Sequence, residues 1–531
     1  MNAECIPFDK LPHPSKLFDD FLSGKLKSFY PHSVRFGEWC ADEAKRIKYD
    51  ASRRKSVADV LEAQNSSWGA SSKSIENIGR LRAGACAVVT GQQAGLFGGP
   101  LFSILKAITA IKLAEEARQK RVDAVPIFWL ATEDHDFAEV NHVAVVEKHH
   151  LRRLELSAGG VEGAPVGARP LGKDVEAAVS AFAEALGDSN ATELIRSFYR
   201  PGETLGSAMA KLFAELFGDY GLILLDPLNT QLHRIASPVL VDSIKHSEEL
   251  DHKLLQRGKE LEAAGYSQQV KVTDSSTLLF SLESGARVPI KRANGKFTIG
   301  KESVSAADLE KRIAQAPEKF SANVLLRPVM QDFLLPTLTY VGGQAEIAYF
   351  AQCEVVYKTL LGRVTPILPR CSATLIEERQ QKVMEKFSLG LMEMFQGPER
   401  LKKLIAARVL PADLQSDFHK ATENLDSSLE PIMHTLQKLD PTLAEAAKRS
   451  ASKMRYQLDR LRNLAVKAEL GRNEAIARKS EELSAALFPN GTLQEREIAG
   501  VSYLARHGMA LIAKLHDVLQ TSCPGHQIVK L

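Results

Sequence analysis

The segment from residue 85 to residue 130 restricts the fold more than any other part of the sequence. "ACAVVTG" is a short apolar run ending in glycine, a helical stretch that is nearly uncharged up to residue 114 follows over residues 100–120, and "AVPIFWL" is a second apolar run. Strands that are apolar throughout are buried on both faces, as in parallel sheets. A strand, a helix and a second strand in this order predict a βαβ unit with a right-handed crossover. We therefore expect an α/β fold with a parallel sheet.

Two further apolar runs indicate that the sheet continues. They are "YGLILLDPLN" at residues 220–229 and "FLLPTLTYVGG" from residue 333, so we expect four core strands. The alternating pattern of residues 268–300, with "ANGK" as a hairpin turn, predicts a small antiparallel sheet. We place the boundaries at 1–80 for an N-terminal helical segment, 81–150 for the first half of the core, 151–219 for a connecting insertion, 220–375 for the second half with a small β insertion at about 268–330, 376–488 for a helical arm, and 489–531 for a C-terminal segment that returns to the core.

The sequence changes character from residue 376 onwards, where it becomes charged, glycine-poor and amphipathic. Within it Met454, Leu458, Leu461 and Leu464 recur at spacings of three and four, with basic residues between them. This spacing is typical of an antiparallel helical hairpin or a coiled coil. We therefore predict a protruding helical arm.

The composition is that of an ordinary soluble protein. Of 531 residues, 44% are hydrophobic and 25% are charged, and the net charge of +3 gives no electrostatic reason to expect nucleic acid as a partner. No uncharged apolar stretch approaches about eighteen residues, and the first residues lack the basic and apolar regions of a signal peptide. We therefore expect a cytoplasmic protein without membrane association.

The six cysteines are scattered along the chain, without a CxxC pair or a Cys/His pairing. This distribution fits neither a disulfide framework nor a zinc site. Cys86 and Cys353 lie in apolar runs, so we expect both to be small core residues and not reactive thiols.

The loop between the first strand and its helix is rich in glycine and glutamine. Glycines let backbone N–H groups approach a ligand, and the start of a helix attracts anions. The spacing is neither a Walker A motif nor the dinucleotide GxGxxG pattern, and a turn without a ligand is the alternative interpretation. The candidate binding residues in this loop are Thr90, Gly91, Gln92, Gln93, Gly95, Gly98, Gly99 and Pro100.

The stretch "TEDHDFAEVNH" places acidic residues at the carboxyl end of the second strand. Ligands of open α/β sheets gather at such ends, so this stretch and the glycine loop should face one cleft. Its carboxylates could bind an amino group, hold a metal or act as acid and base, with His135 as a proton carrier. A solvated strand end is the alternative, and we assign no metal ligands. The candidate catalytic residues are Glu133, Asp134, His135 and Asp136, with Asn141 and His142 as binding residues.

Two later stretches add candidates for the same cleft. "TYVGGQAEIAYFAQ" repeats the strand, glycine pair and helix start, with Gly342, Gly343 and Glu346 as candidate binding residues. "VTPILPRCSATLIE" places Arg370 at a strand end, where a guanidinium could bind phosphate or carboxylate or form a surface ion pair.

Together these stretches resemble a known family. "TGQQAGLFGGPLFSILKAITAIKLA", followed by "PIFWLATEDHDFAEVNHV", is similar to the bacillithiol biosynthesis cysteine-adding enzymes, which are also described as cysteine ligases. The similarity continues through "LLRPVMQDFLLPTLTYVGGQAEIAYFAQ" and "PILPRCSATLIE" to "FPNGTLQERE", so it covers essentially the whole chain. The resemblance implies a Rossmann-like core of the nucleotidyltransferase type with connecting-peptide insertions, and a coiled-coil arm that forms a homodimer.

The resemblance also implies a reaction, the joining of L-cysteine to the free amine of glucosaminyl malate in the last step of bacillithiol synthesis. Amide formation needs an activated carboxylate, most simply cysteinyl adenylate from ATP with Mg, although no recognised ATP signature is present. On this hypothesis loop amides at Gly91 to Gly99 hold phosphates or malate carboxylates. Glu133, Asp134 and Asp136 hold the cysteine ammonium or glucosamine hydroxyls, and His135 accepts the amine proton. The alternatives are a dimeric nucleotide-binding or scaffold protein without ligase activity, and an amide-forming ligase with a different amine acceptor.

Overall fold

The structure is a computed structural model and describes residues 3–12, 15–157, 160–293 and 295–531. Asn294, in the predicted hairpin turn, lies outside the described residues. The chain divides into two compact units, which we call the core unit and the arm unit. The core unit comprises Met1–Glu147, Arg152–Leu375 and Gln494–Val529, and the arm unit comprises Lys148–Leu151, Ile376–Leu493 and Lys530–Leu531.

The strands and helices follow one another along the whole chain. The strands are β1 (Ala3–Ile6), β2 (Cys86–Gln92), β3 (Ala124–Leu130), β4 (His142–Glu147), β5 (His150–Glu155), β6 (Ile223–Leu225), β7 (Ser276–Glu283), β8 (Ala286–Ala293), β9 (Lys296–Ile299), β10 (Glu302–Val304), β11 (Phe320–Ala322), β12 (Thr337–Gly342), β13 (Ile367–Pro369), β14 (Ser372–Ile376) and β15 (His526–Lys530). The helices are α1 (Lys16–Leu22), α2 (Cys40–Arg46), α3 (Ala51–Ser67), α4 (Ser72–Ala83), α5 (Leu101–Gln119), α6 (Phe137–Val140), α7 (Asp174–Leu186), α8 (Asn190–Phe198), α9 (Leu205–Phe217), α10 (Thr230–Lys245), α11 (Ser247–Ala263), α12 (Ala306–Gln315), α13 (Arg327–Leu334), α14 (Gln344–Leu361), α15 (Glu378–Lys386), α16 (Leu391–Met394), α17 (Pro398–Val409), α18 (Ala412–Leu439), α19 (Pro441–Arg472), α20 (Glu474–Leu487), α21 (Gln494–Glu497), α22 (Gly500–His507) and α23 (Leu511–Val518).

The core unit is built on a parallel sheet of five strands in the order β13-β12-β2-β3-β6. β2 pairs with β3 on one side and with β12 on the other, so Gly91 lies opposite Trp129 and Thr90 lies opposite Val341. The expected α/β fold and its four core strands are confirmed. β13 is the strand that the sequence places before Arg370, but it is not among the four expected core strands, because three residues are too few to show the pattern of a buried strand.

Helix α5 accounts for the nearly uncharged stretch after the glycine loop. It packs against β2 and β3, and most of its side chains are buried, including Ile104, Leu105 and Ile108. Fully burying an aliphatic side chain of this size stabilises the fold by about 1.5–3 kcal/mol relative to leaving it exposed. Because β2 and α5 are both fixed in the interior, the loop that joins them has little freedom.

The second insertion forms an antiparallel sheet in the order β10-β9-β8-β7-β11. The small antiparallel sheet predicted over residues 268–300 is therefore confirmed, and β10 and β11 extend it by two strands from outside that range.

The two ends of the chain meet in a third sheet, in the order β1-β15-β14, which the sequence does not predict. Cys5 and Cys523 form a disulfide that joins these ends, with Cα atoms 6.1 Å apart. The expectation that the cysteines form no disulfide is therefore wrong. Sequence spacing gives no warning of the bridge, because 518 residues separate the partners and only the terminal sheet brings them together.

The arm unit contains two long helices, α18 and α19, which pack along each other. The predicted amphipathic helical arm is confirmed, and Arg455 and Asp426 join the two helices by an ion pair at 2.7 Å. Met454 and Leu461, two positions of the apolar repeat, nevertheless remain 46% and 55% exposed. Within the described ranges, no helix combines the length and apolar character needed to cross a membrane.

Candidate functional site

A cleft of about 570 Å³ lies in the core unit where β2, β3 and β12 end. Open parallel sheets bind ligands at this edge. The predicted site residues that line it are Gly91, Gln92, Gln93, Gly95, Gly99, Pro100, Asp134, His142, Gly343, Glu346 and Arg370. The predicted site residues that do not line it are Thr90, Gly98, Glu133, His135, Asp136, Asn141 and Gly342.

Tyr199 holds the glycine loop in place. Gly98 has a φ of 80°, in the left-handed region that glycine adopts without strain. Its N–H donates to the Tyr199 hydroxyl at 2.8 Å, and that hydroxyl donates to the carbonyl oxygen of Gly95 at 3.1 Å. The buried ring of Phe97 packs edge-on against Tyr199, with ring centroids 5.1 Å apart. The loop is thus fixed by the protein's own contacts.

Several amides of this loop are already used inside the protein. The Gly98 N–H bonds to the Tyr199 hydroxyl, and the Gly99 N–H donates to the carbonyl oxygen of Leu96 at 2.9 Å. The first amide of α5, that of Leu101, donates to the carbonyl oxygen of Ile498 at 2.9 Å. The amides of Gly98 and Gly99 are thus occupied within the protein, and the binding of an anion by this loop stays a prediction. Side chains must therefore supply most of the positive charge in the cleft.

Gln93 brings two carboxylates together on the side of the cleft where β3 ends. Its Nε2 donates to Asp134 Oδ2 at 2.7 Å and to Glu139 Oε2 at 2.8 Å. Asp134 Oδ1 also accepts the N–H of His135 at 2.7 Å, which fixes the carboxylate just beyond β3. We call Gln93, Asp134 and Glu139 the acidic side of the cleft. Its carboxylate oxygens can accept strong hydrogen bonds from an ammonium group.

Glu133 turns away from the cleft into the interior. Its Oε1 lies 3.2 Å from Nε2 of the buried His233. His233 Nδ1 lies 3.2 Å from the carbonyl oxygen of Pro317, so this nitrogen carries a proton and donates it. Burial alone would lower the pKa of His233, but the Glu133 carboxylate raises it above its ordinary value. Glu133 and His233 thus contact each other in the interior, and Asp134 is the carboxylate that faces the cleft.

The rest of the acidic stretch is divided between structural contacts and the cleft. His135 does not line the cleft, because its Nδ1 accepts a hydrogen bond from the Arg287 guanidinium at 3.1 Å. Asp136 caps the first turn of α6. His142 does line the cleft, and its Nδ1 lies 3.1 Å from the side-chain oxygen of Asn141. The structure therefore does not place His135 where a proton carrier of the cleft would be needed.

Lys106 joins the ends of β2 and β12 beneath the glycine loop. Its Nζ donates to the carbonyl oxygen of Gly91 at 2.7 Å and to the side-chain oxygen of the next residue at 3.0 Å, and it forms an ion pair with Glu346. Glu346 also accepts the N–H of Gly343 at 2.7 Å and the Tyr340 hydroxyl at 2.6 Å. Burial lowers the pKa of Lys106. Burial alone would raise the pKa of Glu346, but Lys106 and these donors hold it below its ordinary value.

Two arginines without a carboxylate at ion-pair distance among the described residues also line the cleft, although Glu346 is a neighbour of Arg327 and Glu495 and Glu497 are neighbours of Arg496. The Arg327 guanidinium donates to the Tyr349 hydroxyl at 2.6 Å. Arg496, in the C-terminal segment, makes no hydrogen bond or ion pair within the described part of the chain. We call Arg327 and Arg496 the basic side of the cleft. Their charges are available to an anionic ligand.

Arg370 also lines the cleft, but Glu495 already pairs with it. Its guanidinium donates to both oxygens of Glu495, at 3.0 and 2.6 Å, so the ion pair is buried and not at the surface. The Ser372 hydroxyl donates to Glu495 at 2.8 Å, so His526 Nδ1, 2.7 Å from Ser372 Oγ, must donate to that oxygen. His526 Nε2 then accepts the Thr374 hydroxyl at 2.8 Å. Burial lowers the pKa of His526 to about 4, in agreement with a neutral ring.

Two family models match this chain almost from end to end. Residues 1–371 match the model described as bacillithiol biosynthesis BshC, N-terminal Rossmann-like domain, and residues 373–531 match the model described as bacillithiol biosynthesis BshC, C-terminal coiled-coil domain. The chain belongs to the BshC family. The resemblance seen in the sequence is thereby confirmed, as are a Rossmann-like core and a coiled-coil arm.

Curated members of the BshC family are similar to the chain over their full length. A protein of Koribacter versatilis (strain Ellin345) named "Putative cysteine ligase BshC" is 45% identical over 100% of both chains. A protein with the same name from Solibacter usitatus is 36% identical over 100% of both chains. A third, from Salinibacter ruber, is 32% identical over 97% of this chain and 96% of the relative. These BshC relatives place the chain among the ligase enzymes.

Five charged cleft residues of this BshC-family chain are absent from the predicted site: Lys106, Glu139, Arg327, Arg496 and Glu497. Lys106 does leave a signal, since it is a lone cation in the apolar first half of α5, and a buried charge needs a partner or a function. Arg327 and Arg496 leave none, because each stands in a stretch whose orientation depends on how distant segments pack. The "LQERE" segment reaches the cleft only because the C-terminal part of the chain returns to the core unit.

Proposed function

We propose that this chain catalyses the last step of bacillithiol biosynthesis, in which the carboxyl carbon of L-cysteine is joined to the free amine of glucosaminyl malate. The observation that carries the proposal is a single cleft with both an acidic and a basic side. L-cysteine offers an ammonium group, which suits the acidic side, and the malate moiety offers two carboxylates, which suit the basic side. Such a cleft can therefore hold each substrate on its own side. Membership of the BshC family supports the reaction class.

In this proposal the acidic side binds the ammonium group of L-cysteine. Gln93 donates to both Asp134 and Glu139 and so holds the two carboxylates close together, with lone pairs left to accept hydrogen bonds from a ligand. Charge-assisted hydrogen bonds to carboxylates are roughly twice as strong as neutral ones. Fixing the ammonium group in this way leaves the carboxyl carbon of cysteine to face the middle of the cleft.

The basic side binds the malate carboxylates. Arg327 and Arg496 both line the cleft, and neither has a carboxylate at ion-pair distance among the described residues. A guanidinium group matches a carboxylate with two parallel hydrogen bonds, which a single ammonium group cannot do. This contact would hold the acceptor by the end remote from its reactive amine.

Amide formation moves a proton as well as making a bond. The amine nitrogen bonds to the cysteine carboxyl carbon, one carboxyl oxygen leaves with its activating group, and the nitrogen gives up a proton. General-base assistance typically contributes about 10²–10⁴-fold to such a step. We propose Asp134 as the proton acceptor and leave Glu139 to hold the cysteine ammonium group, because Asp134 lines the cleft whereas His135 is held by Arg287.

ATP, when bound, supplies the activation of the cysteine carboxylate. Lys106 and Arg370 line the cleft next to the glycine loop and place positive charge there, while Lys106 bonds to Gly91, Gln92 and Glu346 and Arg370 pairs with Glu495. The described residues contain no group of three or more His, Cys, Asp or Glu side chains placed to hold a metal ion. We therefore expect any Mg to enter together with the nucleotide.

A mass-spectrometric assay tests this proposal. The purified chain is incubated with L-cysteine, glucosaminyl malate, ATP and Mg, and both the amide product and the adenine nucleotides are measured. We expect the amide together with AMP or ADP, and the nucleotide identifies which phosphate bond of ATP is cleaved. A folded chain that forms no amide, with or without added cell extract, would overturn the proposal.

We also propose that the enzyme works as a homodimer in the cytoplasm, where L-cysteine and ATP are supplied. In the arm unit Met454, Leu461 and Leu464 are 46%, 55% and 54% exposed and belong to one apolar repeat. Exposed apolar side chains repeated at this spacing are typical of a coiled-coil interface, and a second copy presents the same surface.

A further inference from the structure

The Cys5–Cys523 disulfide is the accessible sulfur pair of the core unit. Cys5 is exposed and Cys523 is half-buried. The free cysteines of the described chain are buried or half-buried, and burial raises the pKa of the Cys86 and Cys371 thiols. A thiol held in its protonated form is a poor nucleophile. Thiol chemistry on the folded protein therefore centres on the bridge.

A groove of about 590 Å³ lies beside Cys523, apart from the catalytic cleft. Phe36 and Leu113 contribute apolar surface to it, and Glu116 and Lys120 contribute charges of opposite sign. Lys120 forms no ion pair within the described ranges, so its charge is available to a carboxylate. These groups match a small molecule that carries a carboxylate, an ammonium group and a thiol.

The two sulfur atoms have different surroundings. Cys523 lines the groove and its Sγ accepts the N–H of Gly525 at 3.4 Å, whereas Cys5 is an exposed residue that does not line the groove. A thiol seated in the groove reaches Cys523, and the exposed Cys5 can be released as a hydrated thiolate. The geometry therefore favours attack at Cys523 with Cys5 as the leaving group.

The bridge is also connected to the catalytic cleft through β15. Cys5 lies opposite Gln527 in the β1–β15 pair, next to His526. The neutral ring of His526 contacts Ser372, which donates to Glu495, the partner of Arg370. By fixing β15, the bridge thus also fixes the hydrogen bonds that lead from His526 to Arg370 in the lining of the cleft.

We propose that the Cys5–Cys523 bridge is a thiol–disulfide exchange site for small zwitterionic thiols of the cysteine class, and that its opening loosens the support of Arg370. The inference rests on the proposed function, because a ligase that consumes L-cysteine meets this thiol continuously. The incoming thiolate bonds to Cys523 Sγ, the bond to Cys5 breaks, and Cys5 departs as a thiolate. Attack by Cys5 on the mixed disulfide restores the bridge and releases the thiol, so no oxidant is consumed. Disulfides in reducing compartments are usually transient and redox-sensing, as this site would be.

Peptide mapping tests the exchange without any measurement of ligation. The full chain is equilibrated with L-cysteine and cystine at several ratios, its thiols are alkylated, and the products are identified by mass spectrometry under non-reducing conditions. We expect cysteinylated Cys523 together with alkylated Cys5, at a fraction that rises with L-cysteine. A bridge that persists at every ratio, or cysteinylation at other sites instead, would overturn the proposal.

A second comparison tests the groove. Cysteamine lacks the carboxylate of L-cysteine, so it should exchange more slowly with the wild-type chain. In the Lys120→Gln variant, L-cysteine and cysteamine should exchange at the same rate, while dithiothreitol still opens the bridge. Equal rates for both thiols with the wild-type chain would show that the groove does not select the thiol.

Hydrogen–deuterium exchange tests the connection to the cleft. Opening the bridge, with L-cysteine or by Cys5→Ser, should speed amide exchange in β15 and β14, whereas Cys86→Ser should leave both strands unchanged. Unchanged exchange in both strands after the bridge opens would overturn the proposed connection. Because neither experiment depends on ligation, failure of the proposed function and failure of this inference are distinguishable.

Discussion

His526 shows how a single buried side chain supports the cleft. Its neutral ring donates through Nδ1 to Ser372 and accepts through Nε2 from Thr374. A second proton on the ring would remove the acceptor and place a positive charge in the same network as Arg370. The folded protein therefore resists protonation of His526 and keeps its pKa near 4, mainly because the ring is buried.

The low pKa of His526 in the folded protein predicts how the free energy of unfolding changes with pH. The unfolded chain binds a proton at His526 near pH 6.5, whereas the folded chain binds it only near pH 4, so the unfolded state holds more protons between these values. His526 should therefore cost no stability at neutral pH and about 3 kcal/mol by pH 4. Urea unfolding should show a smaller loss on acidification for His526→Gln than for the wild-type chain. An identical pH dependence would contradict the neutral ring.

At the scale of elements, the β2–α5 junction is positioned by a residue from a different part of the chain. The hydroxyl of Tyr199, just beyond α8, accepts the Gly98 N–H and donates to Gly95. Its ring also packs against Phe97. The glycine loop therefore depends on the insertion between the core strands as well as on its own sequence.

Tyr199→Phe should separate these contributions. Loss of the hydroxyl leaves a buried N–H and a buried carbonyl with weaker partners, at a cost of about 1–3 kcal/mol in the free energy of unfolding. It should also raise KM, because the loop lines the cleft. Tyr49→Phe, which removes a hydroxyl bound to the carbonyl of Leu334, is the matched control and should lower stability with KM unchanged. Equal KM values for both variants would contradict a role of Tyr199 in the loop.

The sequence predicts elements well where the pattern is local and long. The apolar β2 and β3 and the amphipathic α19 are clear from periodicity alone, and so is the edge of the sheet at which a cleft forms. The conformation after β3 is not, because Glu133 and Asp134 are adjacent in sequence yet face His233 and the cleft, respectively. Arg496 and the Cys5–Cys523 bridge are equally hidden, since both depend on the return of the C-terminal segment to the core unit.

At the scale of the whole molecule, we propose that two copies of the chain associate through their arm units. The arm unit leaves Leu461 and Leu464 more than half exposed, although their spacing is that of a buried seam. Burial of each would contribute about 1.5–3 kcal/mol, which a second arm can supply.

Light scattering after size-exclusion chromatography should therefore give the mass of a dimer for the wild-type chain. The double variant Leu461→Glu/Leu464→Glu should be a monomer, because it places charges in the proposed seam. Asn463→Glu adds charge at an exposed position that lies away from Leu461 around the same helix, and this variant should remain a dimer. A monomeric wild-type chain would refute the proposed interface.

A steady-state comparison of Arg496→Gln with Arg462→Gln in the ligation assay tests whether glucosaminyl malate binds the basic side of the cleft. Arg496 lines the cleft, whereas Arg462 is exposed on the arm and serves as the matched control. If the malate carboxylates bind the basic side, Arg496→Gln should lower kcat/KM for glucosaminyl malate about 10–100-fold, as expected for the loss of a charged hydrogen bond. The KM for L-cysteine and both constants of Arg462→Gln should stay at wild-type values. An unchanged kcat/KM for glucosaminyl malate in Arg496→Gln would contradict the placement of the reaction in this cleft.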